Sequence, residues 1–585
     1  MRFEQLAAWI RHSEVGRSAT IDSPFGKRRL LYADLTASGR ALSFVESSIA
    51  GVLPYYANVH SSHSTAGRVT GALREEARSV VARAVGAGPD DVVVFVGSGA
   101  TAAVNKLVGL LGIRIPEPLE REHHLSRAIP PAQRPVVLAG PYEHHSNELP
   151  WLESIAELVE VELTPDGTID LDDLRRKAAS CGDRPLRIGA ISAASNVTGV
   201  LTDVRAVCRV LHEAGAIACI DYAAAGPYVP IDMHPPDPAE RIDAVFLSTH
   251  KFMGGPGASG LLVAQRGLFR SRVPERPGGG TVDYVGPAMV EHGACCGGGE
   301  ASPDDEDASA PLRVDYAPGL AEREEGGTPD ILGDIRAGLA FAVKAFLGPE
   351  RILRHELRLA ELAVSRLSAH PRLRLLGAAR GQRLPIVSFN VEGLHHELVS
   401  ALLDHLFGIQ VRGGCSCAGP YGHRLLGIDP PRSERYRRLI HAGLGGAKPG
   451  WVRFSLPYYA SDADVEYVLS AVETVADEGD AFVPLYRVSW KDGSWTPLTG
   501  AVPGPAPLPD GAELWASADA RTPPEPAPDD AELARDRTRF LDEARSLASA
   551  LRARWLDTPP AWNRATGNPE LDALAWFRYV ETEGP

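Results

Sequence analysis

Short apolar runs that end in polar or glycine-rich turns recur along the first half of the chain. They fall at residues 91–96, 136–139, 159–163, 188–192, 217–221 and 244–247. Stretches with apolar residues at helical spacing separate most of them, notably 171–179 and 204–214. Strands that alternate with helices form mostly parallel sheets with helices on both faces. The pattern therefore predicts an α/β fold built on one large, mostly parallel sheet.

The pattern changes after about residue 330, and this change predicts a division into domains. Residues 30–330 form the predicted large domain. Stretches rich in polar, Pro, Gly or acidic residues predict two insertions in it, at about 116–135 and 291–309. Residues 331–480 combine amphipathic helical segments with short strands and form a predicted smaller α+β domain, against which we expect residues 1–29 to pack. Residues 481–585 are predicted to be an extension, with a Pro/Ala-rich linker and then a helix.

Charge and cysteine content narrow the class of protein. The 585 residues include 60 Lys and Arg against 75 Asp and Glu, a formal net charge of −15, which argues against a nucleic-acid surface. No apolar run is long enough to span a bilayer, and the first residues lack the pattern of a signal peptide. The cysteines, seven in number, do not describe a disulfide framework or a metal site. We therefore expect a cytoplasmic enzyme with neither nucleic-acid nor membrane partners.

A lysine follows directly after the apolar run 244–247. The chain continues Ser248-Thr249-His250-Lys251 and then enters a turn rich in Gly and Pro. Lysine is scarce beside arginine in this chain, and a lysine amine can lose its proton and act as a nucleophile. The alternative interpretation is a solvated lysine in a turn. The residues at the other strand ends decide between the two.

Polar residues follow the other predicted strands in the same way. The carboxyl ends of parallel strands meet at one edge of a sheet, and ligands bind at that edge. The residues gathered by this rule are Thr101, His144, Asn196, Asp221, Ser248, His250 and Lys251. Between a strand and a helix, the turn 97–101 points backbone N–H groups at an anion, usually phosphate. It lacks the spacing of a dinucleotide or Walker motif, so a plain strand-to-helix turn is the alternative.

An amine, a carboxylate, an imidazole and a phosphate cradle together match the needs of pyridoxal 5′-phosphate. A lysine forms a Schiff base with the aldehyde of this cofactor, and a carboxylate keeps its pyridine nitrogen protonated. Lys251 and Asp221 occupy positions that suit these two roles. A cofactor-binding scaffold without catalysis is the alternative of another class, but a scaffold has no need of a proton-transfer amine.

With these motifs in this order, the sequence resembles the class V aminotransferase family of fold type I, and within it the branch of cysteine desulfurases and selenocysteine lyases. The resemblance runs from about residue 30 to about residue 476. It implies a large domain with a mostly parallel sheet of the seven-stranded type, and a smaller α+β domain. It also implies that Lys251 is the catalytic Schiff-base lysine, that Asp221 pairs with the pyridine nitrogen, and that His144 stacks on the ring. The implied phosphate ligands are Ala100, Thr101, Ser248 and His250.

Two more segments extend the resemblance to the cofactor's surroundings. Ser195-Asn196-Val197-Thr198-Gly199 matches a segment whose asparagine lies beside cofactor and substrate. Gly278-Gly279-Gly280-Thr281 resembles the segment that reaches the phosphate of the neighbouring subunit. The resemblance therefore implies a homodimer in which Thr281 binds the cofactor. One departure concerns Ala224, which stands where the family usually has a glutamine that bonds the pyridine hydroxyl.

The run Arg412-Gly413-Gly414-Cys415-Ser416-Cys417 resembles the desulfurase loop, in which an arginine precedes the catalytic cysteine by five positions. By this resemblance Cys417 is the nucleophile and Arg412 binds substrate. Arg453, in Val452-Arg453-Phe454-Ser455, matches the arginine that grips the substrate carboxylate, a role suited to a guanidinium.

Several reactions remain open at this point. A desulfurase would cleave the C–S bond of cysteine, leaving a persulfide on Cys417 and releasing alanine. An aminotransferase, an epimerase or another C–S lyase would use Lys251 and Asp221 equally well, with Cys415 and Cys417 as plain loop residues. In every case the partner is a small amino-acid substrate. For a desulfurase, a protein could also accept the sulfur.

Overall fold

A computed structural model describes residues 2–61, 63–287, 312–377, 381–500 and 530–583. The predicted insertion at 291–309 lies outside the described residues, as does most of the predicted linker of the extension. Within the described residues no helix is both long and apolar enough to cross a bilayer.

The strands of the described residues are numbered along the chain. They are β1 Thr20–Ser23, β2 Gly26–Arg29, β3 Leu31–Tyr32, β4 Asp91–Val96, β5 Val136–Ala139, β6 Glu157–Glu160, β7 Arg187–Ser192, β8 Ile217–Asp221, β9 Ala244–Leu247, β10 Gly260–Gln265, β11 Val282–Pro287, β12 Leu312–Tyr316, β13 Leu373–Leu375, β14 Ile386–Val391, β15 Ile409–Gln410, β16 Arg412–Gly414, β17 Trp451–Ser455, β18 Tyr486–Ser489, β19 Trp495–Pro497 and β20 Glu581–Glu583.

The α-helices of the described residues are numbered in the same way. They are α1 Phe3–Ser13, α2 Ser43–Val52, α3 Thr65–Ala84, α4 Gly99–Leu110, α5 Glu117–His123, α6 Leu149–Leu152, α7 Leu171–Ser180, α8 Val204–Glu213, α9 Leu320–Glu324, α10 Ile331–Leu347, α11 Pro349–Ser368, α12 His396–Phe407, α13 Gly419–Leu426, α14 Pro430–His441, α15 Asp462–Phe482, α16 Asp530–Asp557 and α17 Pro569–Leu574.

The main sheet has seven strands in the order β4-β10-β9-β8-β7-β5-β6. The five strands from β9 to β6 are parallel, and β10 runs antiparallel to both of its neighbours. This confirms the predicted α/β fold with a mostly parallel seven-stranded sheet. All four residues of β5 and of β9 are buried, because helices cover both faces of the sheet. The carboxyl ends of the five parallel strands therefore share one edge.

Two apolar clusters enclose this sheet. One includes buried residues of α1, α3, α7, α8 and α10, and the other is built around α4. The predicted insertion at 116–135 contains α5 and two short 3₁₀ turns, and it carries no buried residue within its helical segments.

A second sheet, of four antiparallel strands in the order β13-β14-β17-β16, forms the smaller α+β part. Helices α11, α12 and α15 share its apolar cluster. The described part of the extension joins the same cluster, since α16 buries Phe540 and Leu551 there. Strand β18 pairs with β19 and β20 in a separate three-stranded sheet. The extension thus shares a hydrophobic core with the preceding residues.

Substitution of either of two leucines in α16 tests whether this helix packs against the apolar cluster of the second sheet. Leu551 is 6% exposed and Leu556 is 83% exposed. We expect Leu551→Ala to lower the free energy of unfolding by about 2–5 kcal/mol, because a large buried side chain is deleted. Leu556→Ala, the matched control, should change it by less than about 0.5 kcal/mol. Urea denaturation measures both, and equal losses would contradict docking of α16 through this face.

Candidate active site

A cleft of about 200 Å³ opens at the carboxyl edge of the main sheet. The structure brings together there all but two of the residues predicted for the site. Those that line the cleft are Ala100, Thr101, His144, Asn196, Asp221, Ser248, His250, Lys251, Arg412 and Arg453.

Lys251 ends the short 3₁₀ turn Thr249–Lys251, which follows β9 after one residue. Its side chain is half-buried. Burial lowers the pKa of this amine to about 8; Asp221 opposes the shift, whereas Arg453 and Arg412 add to it. The lowered pKa gives the amine a neutral fraction of roughly a tenth at pH 7, far above that of an ordinary lysine, and the neutral form is the nucleophile.

Asp221 ends β8, the strand adjacent and parallel to β9. The side chain is buried, and one carboxylate oxygen accepts a hydrogen bond from the Ala223 N–H at 2.7 Å. Burial raises the pKa of this carboxyl, against that hydrogen bond and the attraction of Lys251. The cleft wall continues through Ala224, whose methyl group cannot donate a hydrogen bond.

The first turn of α4 forms another wall. Ser98 precedes the helix and makes no side-chain capping hydrogen bond, so the start of the helix is left uncapped by that residue. The Ala100 N–H donates to Ser248 Oγ at 2.9 Å. Gly99 has a φ of +59°, and a Cβ on it would lie 2.7 Å from Ser248 Oγ. Such a helix start, in close contact with small residues, can bind an anion.

His144 lines the same cleft as this helix start and the lysine. Its Nδ1 accepts a hydrogen bond from the Ser146 N–H at 3.1 Å, which leaves the proton of the neutral ring on Nε2. Burial, followed by the charge of Lys251, lowers the pKa of His144 to about 3. The same two causes lower the pKa of His250 to about 4. Both imidazoles are therefore neutral at physiological pH, and His144 can stack on an aromatic ring without adding charge.

Two arginines from the second sheet complete the cleft. Arg412 on β16 and Arg453 on β17 stand opposite each other in the antiparallel register. Arg453 is 2% exposed; it donates through Nη2 to Asp34 Oδ1 at 2.7 Å and through Nη1 to the Asn196 carbonyl at 3.0 Å. Its Nε has no hydrogen-bond partner among the described residues. Two guanidinium groups on one wall favour binding of a carboxylate.

Cys417 and Thr281 are the two predicted site residues that do not line the cleft. Cys417 is half-buried, and its neighbour Ser416 lines the cleft in its place. Thr281 is buried elsewhere, and its hydroxyl donates to the Gly278 carbonyl at 2.7 Å. Thr281 is assigned to the neighbouring subunit's site, so a single chain does not test it. Both assignments stay predictions.

The cleft and the residues in contact with its wall include some that the sequence analysis missed. Ser416 and Asp34 are two of them. A third is Glu143, whose buried carboxylate accepts hydrogen bonds from the Ser192 N–H, the Ser192 hydroxyl and the Asn147 amide at 2.7, 2.6 and 2.7 Å. Burial raises the pKa of Glu143 to about 8, against these hydrogen bonds. Asp34 and Ser192 could have been found from the sequence, because each lies at the end of a predicted strand. Ser416 showed no sequence signal beyond its place between two cysteines.

The residues of the cleft fit pyridoxal 5′-phosphate. The start of α4, which the side chain of Ser98 does not cap, suits the phosphate, Lys251 suits the aldehyde, and Asp221 suits the pyridine nitrogen. The unpartnered buried Oδ1 of Asn196 is a further polar atom that a ligand could satisfy. The pyridine hydroxyl is the one group for which Ala224 supplies no donor.

Comparison with known proteins agrees with this geometry. The sequence profile of the family described as Aminotransferase class-V matches residues 32–468. The chain belongs to the class V aminotransferase family. The match ends before the extension, so β18, α16 and the residues after them are additions to the family's common part.

The similar relatives of this class V protein include cysteine desulfurases. A probable cysteine desulfurase of Halalkalibacterium halodurans is 28% identical over 405 residues, which is 68% of this chain and 87% of that protein. A cysteine desulfurase of Klebsiella pneumoniae is 30% identical over 397 residues, 67% and 85% of the two chains.

Solved structures of cysteine desulfurases share the fold. The apo structure from Thermococcus onnurineus is 25% identical with a TM-score of 0.57, covering 77% of this chain and 95% of that one. The structure of CsdA from Escherichia coli has the same TM-score, 0.57, at 22% identity and covers 80% of this chain and 98% of that one.

The lowered pKa of Lys251 predicts how the cofactor-free enzyme takes up pyridoxal phosphate. Only the neutral amine attacks an aldehyde, so the rate of covalent uptake should rise with pH, with its midpoint at about pH 8. An unperturbed lysine would give a midpoint near about 10.4. Stopped-flow absorbance measures this rate, with Lys251→Ala as the control that forms no covalent bond. A midpoint near 10 would contradict the shift.

Proposed function

We propose that this class V enzyme binds pyridoxal 5′-phosphate and acts on an amino acid, and that its reaction is cysteine desulfuration. The observation that carries the proposal is one cleft that holds the Lys251 amine, the Asp221 carboxylate and two arginines, with a cysteine-bearing turn at its rim. The cysteine desulfurases among its relatives support the same reaction.

Lys251 and Asp221 would hold the cofactor through its aldehyde and its pyridine nitrogen, and His144 would stack on its ring. When bound, pyridoxal phosphate draws electrons away from the α-carbon of the substrate. Lys251 Nζ, whose pKa burial lowers to about 8, takes the proton from that carbon in its neutral form. Arg453 and Arg412 bind the substrate carboxylate and so orient the substrate for this proton transfer.

Cys417 supplies the nucleophile for the sulfur step. Its thiolate attacks the substrate sulfur, a new S–S bond forms, and the C–S bond breaks. The C–S electron pair stays with the substrate carbon, which takes up a proton, so that cysteine becomes alanine and Cys417 becomes a persulfide. Cys417 directly follows Ser416, a residue of the cleft wall, and a change in the turn would bring its thiol to the substrate.

A different reaction of the same cofactor is the second candidate. The specific observation in its favour is that Cys417 itself does not line the cleft. An aminotransferase, an epimerase or another C–S lyase would need only the lysine, the aspartate and the arginines.

We also propose a cytoplasmic homodimer that passes its sulfur to an acceptor, which could be a protein. The β11–β12 hairpin supports the dimer, because it exposes Tyr284, Val285, Leu312 and Val314 by 50%, 50%, 69% and 40%. Thr281, which the family resemblance assigns to the partner's phosphate site, immediately precedes this hairpin.

Sulfide release from L-cysteine in the presence of a thiol reductant tests the function. Lys251→Ala should abolish both the absorbance of the covalently held cofactor and turnover. Cys417→Ala should keep that absorbance and lower sulfide release by about 1000-fold or more, since the nucleophile is lost. Cys181→Ala, a half-buried cysteine at the end of α7, is the matched control and should release sulfide at the wild-type rate.

Undiminished sulfide release by Cys417→Ala would show that Cys417 is not the nucleophile, and Cys415 would then be tested. A wild-type protein that transaminates or racemises an amino acid but leaves cysteine intact would select the second candidate.

A further inference from the structure

The turn that carries Cys415 and Cys417 has an unusual backbone. The Ala418 N–H donates to the Cys415 carbonyl at 3.2 Å, which closes a tight turn. Its two central residues, Ser416 and Cys417, have φ values of +50° and +55°. Gly, Asn and Asp dominate such positions, because other side chains are strained there.

Two hydrogen bonds from the large part of the molecule hold the turn in this conformation. The Asn196 side-chain amide donates to the Ser416 carbonyl at 2.8 Å. The His145 N–H donates to the Cys417 carbonyl at 2.9 Å. The strained turn is therefore anchored to the residues after β5 and β7, next to the cleft.

This backbone directs Ser416, and neither cysteine, to the cleft wall. Ser416 is 5% exposed, and its hydroxyl has no hydrogen-bond partner among the described residues. The other buried serines of the cleft differ, since Ser192 Oγ donates to Glu143 and Ser248 Oγ accepts from Ala100. A buried hydroxyl without a partner is costly, so a ligand atom is expected to satisfy it.

The neighbours of Ser416 indicate the chemistry of that ligand atom. The side chain of Arg412 makes neither a hydrogen bond nor an ion pair within the described part of the chain, and Arg453 keeps an unpartnered Nε. Asp34 forms an ion pair with Arg453, whereas no carboxylate of the described residues forms an ion pair with Arg412, whose charge acts on Glu397 from a longer distance. Like charges in directly opposed positions of a sheet are unfavourable. A carboxylate from the ligand would offset this repulsion and accept a hydrogen bond from a hydroxyl.

We propose that the Ser416 hydroxyl donates a hydrogen bond to the α-carboxylate of the amino-acid substrate, beside Arg412 and Arg453. Ser416 is then a substrate-binding residue that selects ligands with a carboxylate next to the amine. This inference rests on the proposed amino-acid chemistry of the cleft, although it does not depend on which bond is broken.

Three variants separate the hydroxyl from the backbone strain. Ser416→Ala removes the hydroxyl and keeps the strain. Ser416→Gly removes both, since glycine adopts positive φ freely. Ser416→Asn tolerates the conformation and retains a donor. Each is prepared as the cofactor-loaded enzyme and titrated with L-alanine, whose binding is followed by the cofactor absorbance. Cysteamine, an amine and thiol without a carboxylate, is titrated in parallel.

We expect Ser416→Ala and Ser416→Gly to bind L-alanine about tenfold or more weakly, the loss typical of a hydrogen bond to a charged group. Cofactor content and absorbance should stay at the wild-type values, as should the affinity for cysteamine. Ser416→Asn should recover part of the affinity for L-alanine. With L-cysteine, the loss should appear in KM more than in kcat.

Wild-type affinity for L-alanine in both the Ala and the Gly variant would overturn the proposal. An equal loss for L-alanine and cysteamine would overturn it as well, because the hydroxyl would then not act on the carboxylate. Loss of cofactor from both variants would assign the hydroxyl to the cofactor instead. These results are distinct from failure of the proposed desulfuration, which would appear as absent sulfide release by the wild type.

Discussion

The interaction on which this molecule depends is the attraction between a lysine amine and an aspartate carboxylate at the ends of two adjacent parallel strands. Asp221 ends β8, and Lys251 follows β9 by four residues. Burial disfavours the charged form of each group, and each favours the charged form of the other. Their common edge exists because five parallel strands end on the same side, with helices covering both faces of the sheet. For the amine burial is the larger effect, so the pKa of Lys251 falls to about 8 although Asp221 opposes the shift.

The cleft is complete only where the second sheet meets the first. Arg453 reaches the Asn196 carbonyl and Asp34, and the turn after β16 is held by Asn196 and His145. Asn196 thus contacts both Arg453 on β17 and the turn that follows β16. The position of the arginines and of Ser416 therefore depends on how closely the two sheets are packed together.

The extension contributes to this packing through its contacts with helix α12. Trp495 Nε1 donates to His395 Nδ1 at 3.1 Å at the start of α12, and Trp576 stacks on His396 with the rings 6.0 Å apart. A Cβ on Gly450, just before β17, would lie 2.7 Å from His396 Nε2 and 2.9 Å from the Gly414 Cα at the end of β16. Residues outside the family's common part therefore contact α12, which packs directly against the strands that carry Arg412 and Arg453.

Sequence alone determined the sheet, its helices and most of the residues that line the cleft. Strand ends are local features, and parallel strands bring them to one edge whatever the details of packing, so Asp221, His144 and Lys251 could be found in this way. Only the tertiary structure decided that Ser416 lines the cleft while Cys417 does not. The direction of a side chain in a strained turn depends on hydrogen bonds from Asn196 and His145, which are more than two hundred residues away along the chain. No local pattern encodes such a contact.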